Sequence, residues 1–358
     1  MMNVTEEVFL QLVRLGIGTL TKASLPENVI WDEVIALADR QGLSAIMLDG
    51  IDQLPENQRP PQMVLLNLIG EVLQRCEYRY DTYKNAIKDL ALFYHQNGFK
   101  MMVLKGYACS LDWPKPEHRP CGDIDIWQFG QQIEADALLV SKKDISIDST
   151  HHHHTVFDWE GFMVENHYDF INVHDVKSSR ELEVLFKDLG KDDMHYVEIN
   201  NVRIYLPSPN LHALFLMRHM VSHFASTNVT LRQVLDWAFF VRSHKKEIDW
   251  EWLIGELERF HMNVFFNCIN AICVEELGFE SIVFNTIQFD PFLKDRVFSD
   301  IIYPKYTVDE PKGLLPRLIY KYRRWKGNEW KRKICYAESS WSSFWGGVKL
   351  HLMKPASI

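Results

Sequence analysis

Asp123 and Asp125 stand one residue apart in "CGDIDIW", residues 121–127, inside an apolar run that alternates at the period of a β-strand. Residues i and i+2 of a strand project to the same side, so both carboxylates point together while Ile124 and Ile126 enter a core. Two like charges side by side repel. A cation between them removes the repulsion, and hard oxygen ligands in this arrangement suit Mg²⁺ or Mn²⁺. A two-metal site needs a third carboxylate close by. Glu165, on the polar face of an expected hairpin, is the best placed, with Asp169 as the substitute. Lys105-Gly106 ends the apolar run "FKMMVL" and reads as a tight turn after a strand, where backbone N–H groups and an ammonium can meet phosphates.

These residues need elements to hold them. Residues 3–98 read as helices: "TEEVFLQLVRL", "WDEVIALADRQGLSAIMLDGI", and a long segment from about Pro61 to Asn97, with the Pro-rich loop "QLPENQRPP" between them. "FKMMVLKGY" is a buried strand, "PKPEHRP" an irregular loop and "GDIDIWQF" the next strand. In "HTVFDWEGFMVENHYDF" two alternating runs flank Glu160-Gly161, the signature of a hairpin. Phe162, Val164, Tyr168 and Phe170 share one face with Asn166, and Met163, Glu165, His167 and Asp169 share the other. "VRIYLP" offers a last short strand before Pro207-Ser-Pro209. From Leu211 to about Phe279 the pattern is helical again, and Thr230 and Gln233 have the spacing of a capping box. The expected division is an N-terminal helical region (1–98), an α/β core (99–206), a C-terminal helical region (207–300) and a basic, aromatic-rich tail (301–358).

Taken in order, "VLKGYA", "RPCGDIDIW", "HHTVF", "VENHYDF" and "LRQVLDWAFF" resemble the bacterial uncharacterised nucleotidyltransferase family. That family sits within the superfamily of DNA polymerase β, kanamycin nucleotidyltransferase and the minimal nucleotidyltransferases. The resemblance covers roughly Phe99 to Val241 and implies an α+β fold, a small mixed sheet carrying three metal-binding acids between helical regions. It also implies transfer of a nucleoside monophosphate from an NTP to an acceptor hydroxyl or phosphate. By that resemblance Asp123, Asp125 and Glu165 would be catalytic and would hold Mg²⁺ or Mn²⁺. Lys105, Gly106 and Arg119 would contact phosphates, and His167 would orient Glu165 or the acceptor. Two features depart from the wider superfamily. The turn is Lys-Gly where Gly-Gly or Gly-Ser is usual, and sixteen residues separate Gly106 from Asp123.

Other groupings carry weaker chemistry. His151–His154 form an internal tract that leads into an apolar strand, read as phosphate contacts or strand polarity. His219 and His223 lie one helical turn apart without the glutamate of a zincin, and read as packing histidines. Arg232 and Asp236, at i and i+4, read as a surface or interdomain ion pair, and the family resemblance allows them to line the acceptor side of the cleft. Neither G-x-G-x-x-G nor G-x-x-x-x-G-K-[ST] occurs.

Over 358 residues, 47% hydrophobic and 24% charged, the composition is that of a globular protein. The net charge of −9 argues against generic nucleic-acid binding, which rests on cationic surface. From Gly313 onward, however, ten Lys or Arg stand against two Glu, interleaved with Tyr320, Tyr322, Trp325, Trp330, Trp341 and Trp345. Such a tail packs on the body, or contacts a partner or an anionic surface. The N-terminus lacks the basic flank of a signal peptide, no run approaches a membrane span, and six cysteines without a CxxC pair fit reduced thiols. The expected setting is cytoplasmic. The resemblance thus implies an Mg²⁺-dependent nucleotidyltransferase using an NTP donor such as ATP on an unidentified small molecule, protein or RNA end. The alternative is a catalytically inactive accessory protein that binds a nucleotide or a partner.

Overall fold

The computed structural model describes residues 3–173, 178–192, 195–284, 288–307 and 311–337. Helices open the chain: α1 (Val4–Gly16), α2 (Trp31–Gln41), α3 (Ser44–Asp52), α4 (Gln62–Val72) and α5 (Tyr78–Gln96). The apolar segment expected as one helix from Trp31 to Ile51 is broken in two, because Gly42 adopts φ +68 and closes α2 in a left-handed cap. A π-helical stretch, Leu73–Glu77, joins α4 to α5, so the long helical reading from Pro61 to Asn97 holds.

Next come β1 (Met102–Val103), α6 (Tyr107–Ser110), β2 (Ile124–Trp127), α7 (Gln132–Lys143), β3 (His154–Trp159), β4 (Phe162–His167), α8 (Ser179–Asp192), β5 (His195–Ile199) and β6 (Val202–Leu206). These strands form one mixed sheet in the order β3-β4-β2-β1-β6-β5. β2 runs parallel to β4 and antiparallel to β1, and β1 runs parallel to β6. The β3–β4 hairpin turns at Glu160 and Gly161, whose φ values of 53 and 80 are those of a primed turn. The β5–β6 hairpin does the same at Asn200 and Asn201, a residue type that tolerates positive φ.

The chain finishes with α9 (Pro209–Ser226), α10 (Leu231–His244), α11 (Trp250–Arg259), α12 (Asn263–Glu275), α13 (Pro291–Ile302), α14 (Leu314–Gly327) and α15 (Glu329–Cys335). The capping box of α10 is formed, with the Thr230 N–H donating to Gln233 Oε1 at 2.9 Å. The architecture is therefore the expected α+β one, a mixed sheet framed by helices on both sides of the chain.

Alternation along the strands divides the interior into two cores. Ile124, Ile126, Val164 and Ile204 face α5 and α7, packing on Tyr83, Leu90, Tyr94 and Leu139. Trp127 points the other way, into a larger core shared with α8, α9 and the flanking helices. There Trp127, Phe170, Phe186 and Phe215 pack in sequence, tilted and then edge to face, with centroids 4.8, 5.6 and 5.8 Å apart, each pair worth about 1 kcal/mol beyond area burial. Asp125 shares the parity of Trp127 and so faces α9. Packing on that side fixes the depth at which the acids sit.

Among the described residues no helix is long and apolar enough to cross a membrane. All six cysteines are free thiols, five of them buried. In the C-terminal stretch, Trp330 packs on the larger core and Lys331 is buried with its ammonium 2.5 Å from Asp300. Trp341 and Trp345 lie outside the described residues.

Candidate active site

β1 stops at Val103 because the chain must turn before α6. The Leu104 N–H still donates to the Asp125 carbonyl at 3.0 Å, and Lys105-Gly106 then swings toward the aspartates. Gly106 takes φ +57, and a Cβ there would meet the Tyr83 hydroxyl at 2.3 Å. That hydroxyl donates to the Asp123 carbonyl at 2.9 Å, so the turn and the first aspartate are held by the same tyrosine.

Asp125 is only 2% exposed and carries two cationic neighbours. Lys105 Nζ lies 2.6 Å from its Oδ1, and His167 Nε2 lies 3.1 Å from the same oxygen. Burial alone would raise the Asp125 pKa, but Lys105 and then His167 outweigh it and hold the carboxyl well below the usual carboxylate range. For His167, burial acts to lower the pKa, yet the hydrogen bonds to Asp125 and Glu165 push it up to about 9. Lys105 follows the same logic and is held above its ordinary value by Asp125 and Asp123 against the pull of burial.

Glu165 is in register with Asp125 across the parallel β2–β4 pair. Its Oε2 lies 3.5 Å from His167 Nε2 and 3.8 Å from His154 Nδ1. Asp125, Glu165 and His167 bring one ligand atom each within 4.8 Å of one another. Asp123 stands apart from this trio. Its pKa is raised, first by burial and then by the charge of Asp125, and among the described residues no cation lies within ion-pair distance of its carboxylate.

A cleft of about 250 Å³ opens in front of the aspartates, lined by Lys105, Gly106, Arg119, Asp123 and Asp125 from the sheet side. The opposite wall comes from α9 and α10: Leu216, His219, Met220, His223, Arg232, Gln233 and Asp236. Glu165 and His167 lie behind Asp125 and are not part of that lining. Two larger depressions, about 700 and 770 Å³, lie beside α2–α5 and α11–α12, and neither contains Asp123, Asp125 or Glu165.

Arg119 reaches the cleft wall already engaged. Its Nε and Nη2 donate to both oxygens of Asp236 at 2.8 and 3.0 Å, and Nη1 donates to the Pro120 carbonyl at 3.2 Å. Trp113 Nε1 adds a third bond to Asp236 at 2.9 Å. The spacing that suggested an Arg232–Asp236 pair is therefore met by a different partner, 117 residues away in sequence. Arg232 is left without an ion-pair partner among the described residues, and burial followed by the charge of Arg119 lowers its pKa.

His219 and His223, read from sequence as packing residues, meet edge to face with ring centroids 4.4 Å apart and face the cleft. Burial and then the charge of Lys105 drive the pKa of His219 well below normal, so its ring is neutral at pH 7, while His223 is exposed to solvent. Their i, i+4 spacing was visible; the side of α9 that would face the aspartates was not, because only the tertiary fold sets it.

The family model for uncharacterised nucleotidyltransferases matches residues 27–278. The chain belongs to this uncharacterised nucleotidyltransferase family. No curated protein and no solved structure matched this chain. The matched span runs from before α2 to the end of α12 and so includes both walls of the cleft.

Proposed function

We propose that this protein catalyses divalent-metal-dependent transfer of a nucleoside monophosphate from an NTP to an acceptor hydroxyl or phosphate. The observation that carries the reading is the placement of Asp123, just before β2, and Asp125, on it, in a cleft lined also by Lys105, Arg119 and Arg232, with Glu165 in register with Asp125 on β4 behind the cleft. The donor set fits the metal. Three carboxylates are hard oxygen ligands, and Asp123 is a largely enclosed acid without a cation in ion-pair range among the described residues. Asp123 and Asp125 would hold Mg²⁺ or Mn²⁺, and Glu165 would complete the set. Bound there, the ion supplies neutralisation of the charge that builds on the triphosphate.

The chain's own groups do the rest. Arg232, with no acidic group within ion-pair distance among the described residues, offers its cation to phosphate oxygens. Arg119, clamped on Asp236, holds the wall rigid and adds positive potential. Lys105 moves between carboxylate and phosphate as charge enters the cleft, and Gly106 lets the backbone approach without a side chain. His167 orients Glu165 and Asp125 through one nitrogen. The acceptor, a small molecule, a protein or an RNA end, approaches along α9 and α10, where His219 and His223 offer ring nitrogens.

The Lys105–Asp125 pair also supports a second reading, in which a lysine takes the cation's place and the protein binds a nucleotide or partner without turnover. Thermal unfolding of wild type and Asp123→Ala with each NTP, with and without Mg²⁺, separates the two, joined to an assay for pyrophosphate release. A metal-dependent shift for one NTP with pyrophosphate release, both lost in the variant, supports transfer. A shift that persists without metal and without pyrophosphate supports the accessory reading.

A further inference from the structure

We propose that His153, His154 and His167, with Glu165 beside them, form a binding site for a borderline transition-metal ion such as Zn²⁺. This site borders the hard-oxygen set of Asp123 and Asp125, sharing Glu165 with it and drawing on His167 Nε2, which lies 3.1 Å from Asp125 Oδ1, and its test does not depend on the nucleotidyl-transfer reading.

One ligand atom from each of the three imidazoles lies within 4.8 Å of the other two. Nitrogens bound at ~2.1 Å around a tetrahedral Zn²⁺ are ~3.3 Å apart, so side-chain movements on the order of an ångström close the set. A fourth donor is at hand, because Glu165 Oε2 lies 3.8 Å from His154 Nδ1 and 3.5 Å from His167 Nε2.

The backbone builds this cluster rather than leaving it to chance. His154 opens β3 directly opposite His167, which closes β4. The N–H groups of Tyr168 and Asp169 both donate to the His153 carbonyl at 3.1 Å, pinning the residue that precedes the strand. His167 Nδ1 pairs with the Asp169 carbonyl at 3.1 Å, which turns Nε2 inward, the arrangement by which metal-binding histidines are usually oriented.

A second observation points to a missing ligand. His153 Nδ1 and both ring nitrogens of His154 are buried without a hydrogen-bond partner among the described residues. Buried polar atoms are nearly always satisfied, and three orphaned nitrogens on adjacent rings are an unusual concentration. Imidazole nitrogen favours Zn²⁺, Co²⁺ and Ni²⁺ over Mg²⁺, which selects against the ion expected at the aspartates. His153 is half-buried and gives the ion a route in from solvent. Bound metal would tie His153 and His154, at the start of β3, to Glu165 and His167 on β4 and fix that carboxylate next to Asp125.

The test uses full-length protein stripped with chelator and titrated with Co²⁺, whose visible bands report coordination, then with Zn²⁺ as competitor. The expected result is one equivalent of Co²⁺ with the intense bands of a four-coordinate site, displaced by Zn²⁺. Affinity should fall about tenfold or more in His154→Ala and in His153→Gln, and persist in Asp123→Ala and in His151→Gln/His152→Gln. His153→Gln is included because its half-buried position tolerates the change, and circular dichroism checks that each variant is folded. Binding that ignores both His153 and His154, binding abolished by Asp123→Ala, or only weak six-coordinate spectra would overturn the proposal.

Discussion

Lys105 Nζ sits 2.6 Å from Asp125 Oδ1, with the lysine side chain 16% and the aspartate 2% exposed. Removing one member of a buried pair strands the other, and the loss is commonly ~3–5 kcal/mol. Here His167 still faces Asp125, so Lys105→Met should cost about 3 kcal/mol, at the lower end. Asp125→Asn in the same chain should recover much of it, because the stranded charge is gone. Urea unfolding of the two single variants and the double variant measures this as a coupling energy. Additive effects would mean that the pair is not formed in solution.

Gly106→Ala tests the other half of the turn. The residue holds φ +57, and an added methyl would overlap the Tyr83 hydroxyl that supports Asp123. A loss of ~1–3 kcal/mol is expected from strain and displacement together. Tyr83→Phe removes the overlapping oxygen, so the double variant should be more stable than Gly106→Ala alone. A Gly106→Ala protein as stable as wild type would show that the turn has another conformation available.

Histidines of opposite sign should give stability a maximum near pH 6.5–7. His167 is raised to about 9 from an unfolded value of ~6.5, so its contribution is whole below ~6.5 and is lost as pH climbs through about 9. His212 is buried and lowered to about 4, first by desolvation. Between about pH 6.5 and 4 the unfolded chain takes up the proton that native His212 refuses, so stability decreases as the pH is lowered. Each limb has a slope of up to ~1.4 kcal/mol per pH unit per group. Urea midpoints from pH 5 to 10 check this, and His167→Gln should flatten the alkaline limb only. A midpoint that rises steadily from pH 7 to 9.5 in wild type would contradict the assignment.

Much of this site is legible in the sequence alone. The strand parity of Asp123 and Asp125, the Glu160-Gly161 turn and the Thr230–Gln233 cap are all local, and local physics decides them. The helices α7 and α8 and strand β5 went unmarked, although Asn200-Asn201 was a usable turn signal between β5 and β6. Asp236 shows the limit of spacing rules. Its i−4 neighbour is an arginine, yet burial selects Arg119, which arrives from a distant loop with two parallel hydrogen bonds. His219 and His223 show the same limit, since a helix face acquires a function only when another element is packed opposite it.

Asp123→Asn separates the needs of the site from those of the fold. Burial and then the neighbouring charge of Asp125 push the Asp123 pKa up, so the ionised form is disfavoured in the native state. A raised carboxyl is charged at pH 7 at the expense of stability, and removing that charge should stabilise the metal-free protein. A rise in melting temperature of ~1–2 °C is expected, the usual sign of a residue kept for chemistry rather than for packing. The same variant should lose the Mg²⁺-dependent shift given by an NTP, because an amide oxygen is a poorer ligand than a carboxylate. Differential scanning calorimetry with and without Mg²⁺ and NTP reads both effects in one experiment. A variant several degrees less stable than wild type in the absence of metal would mark Asp123 as a structural residue, and the acids would then have to act without it.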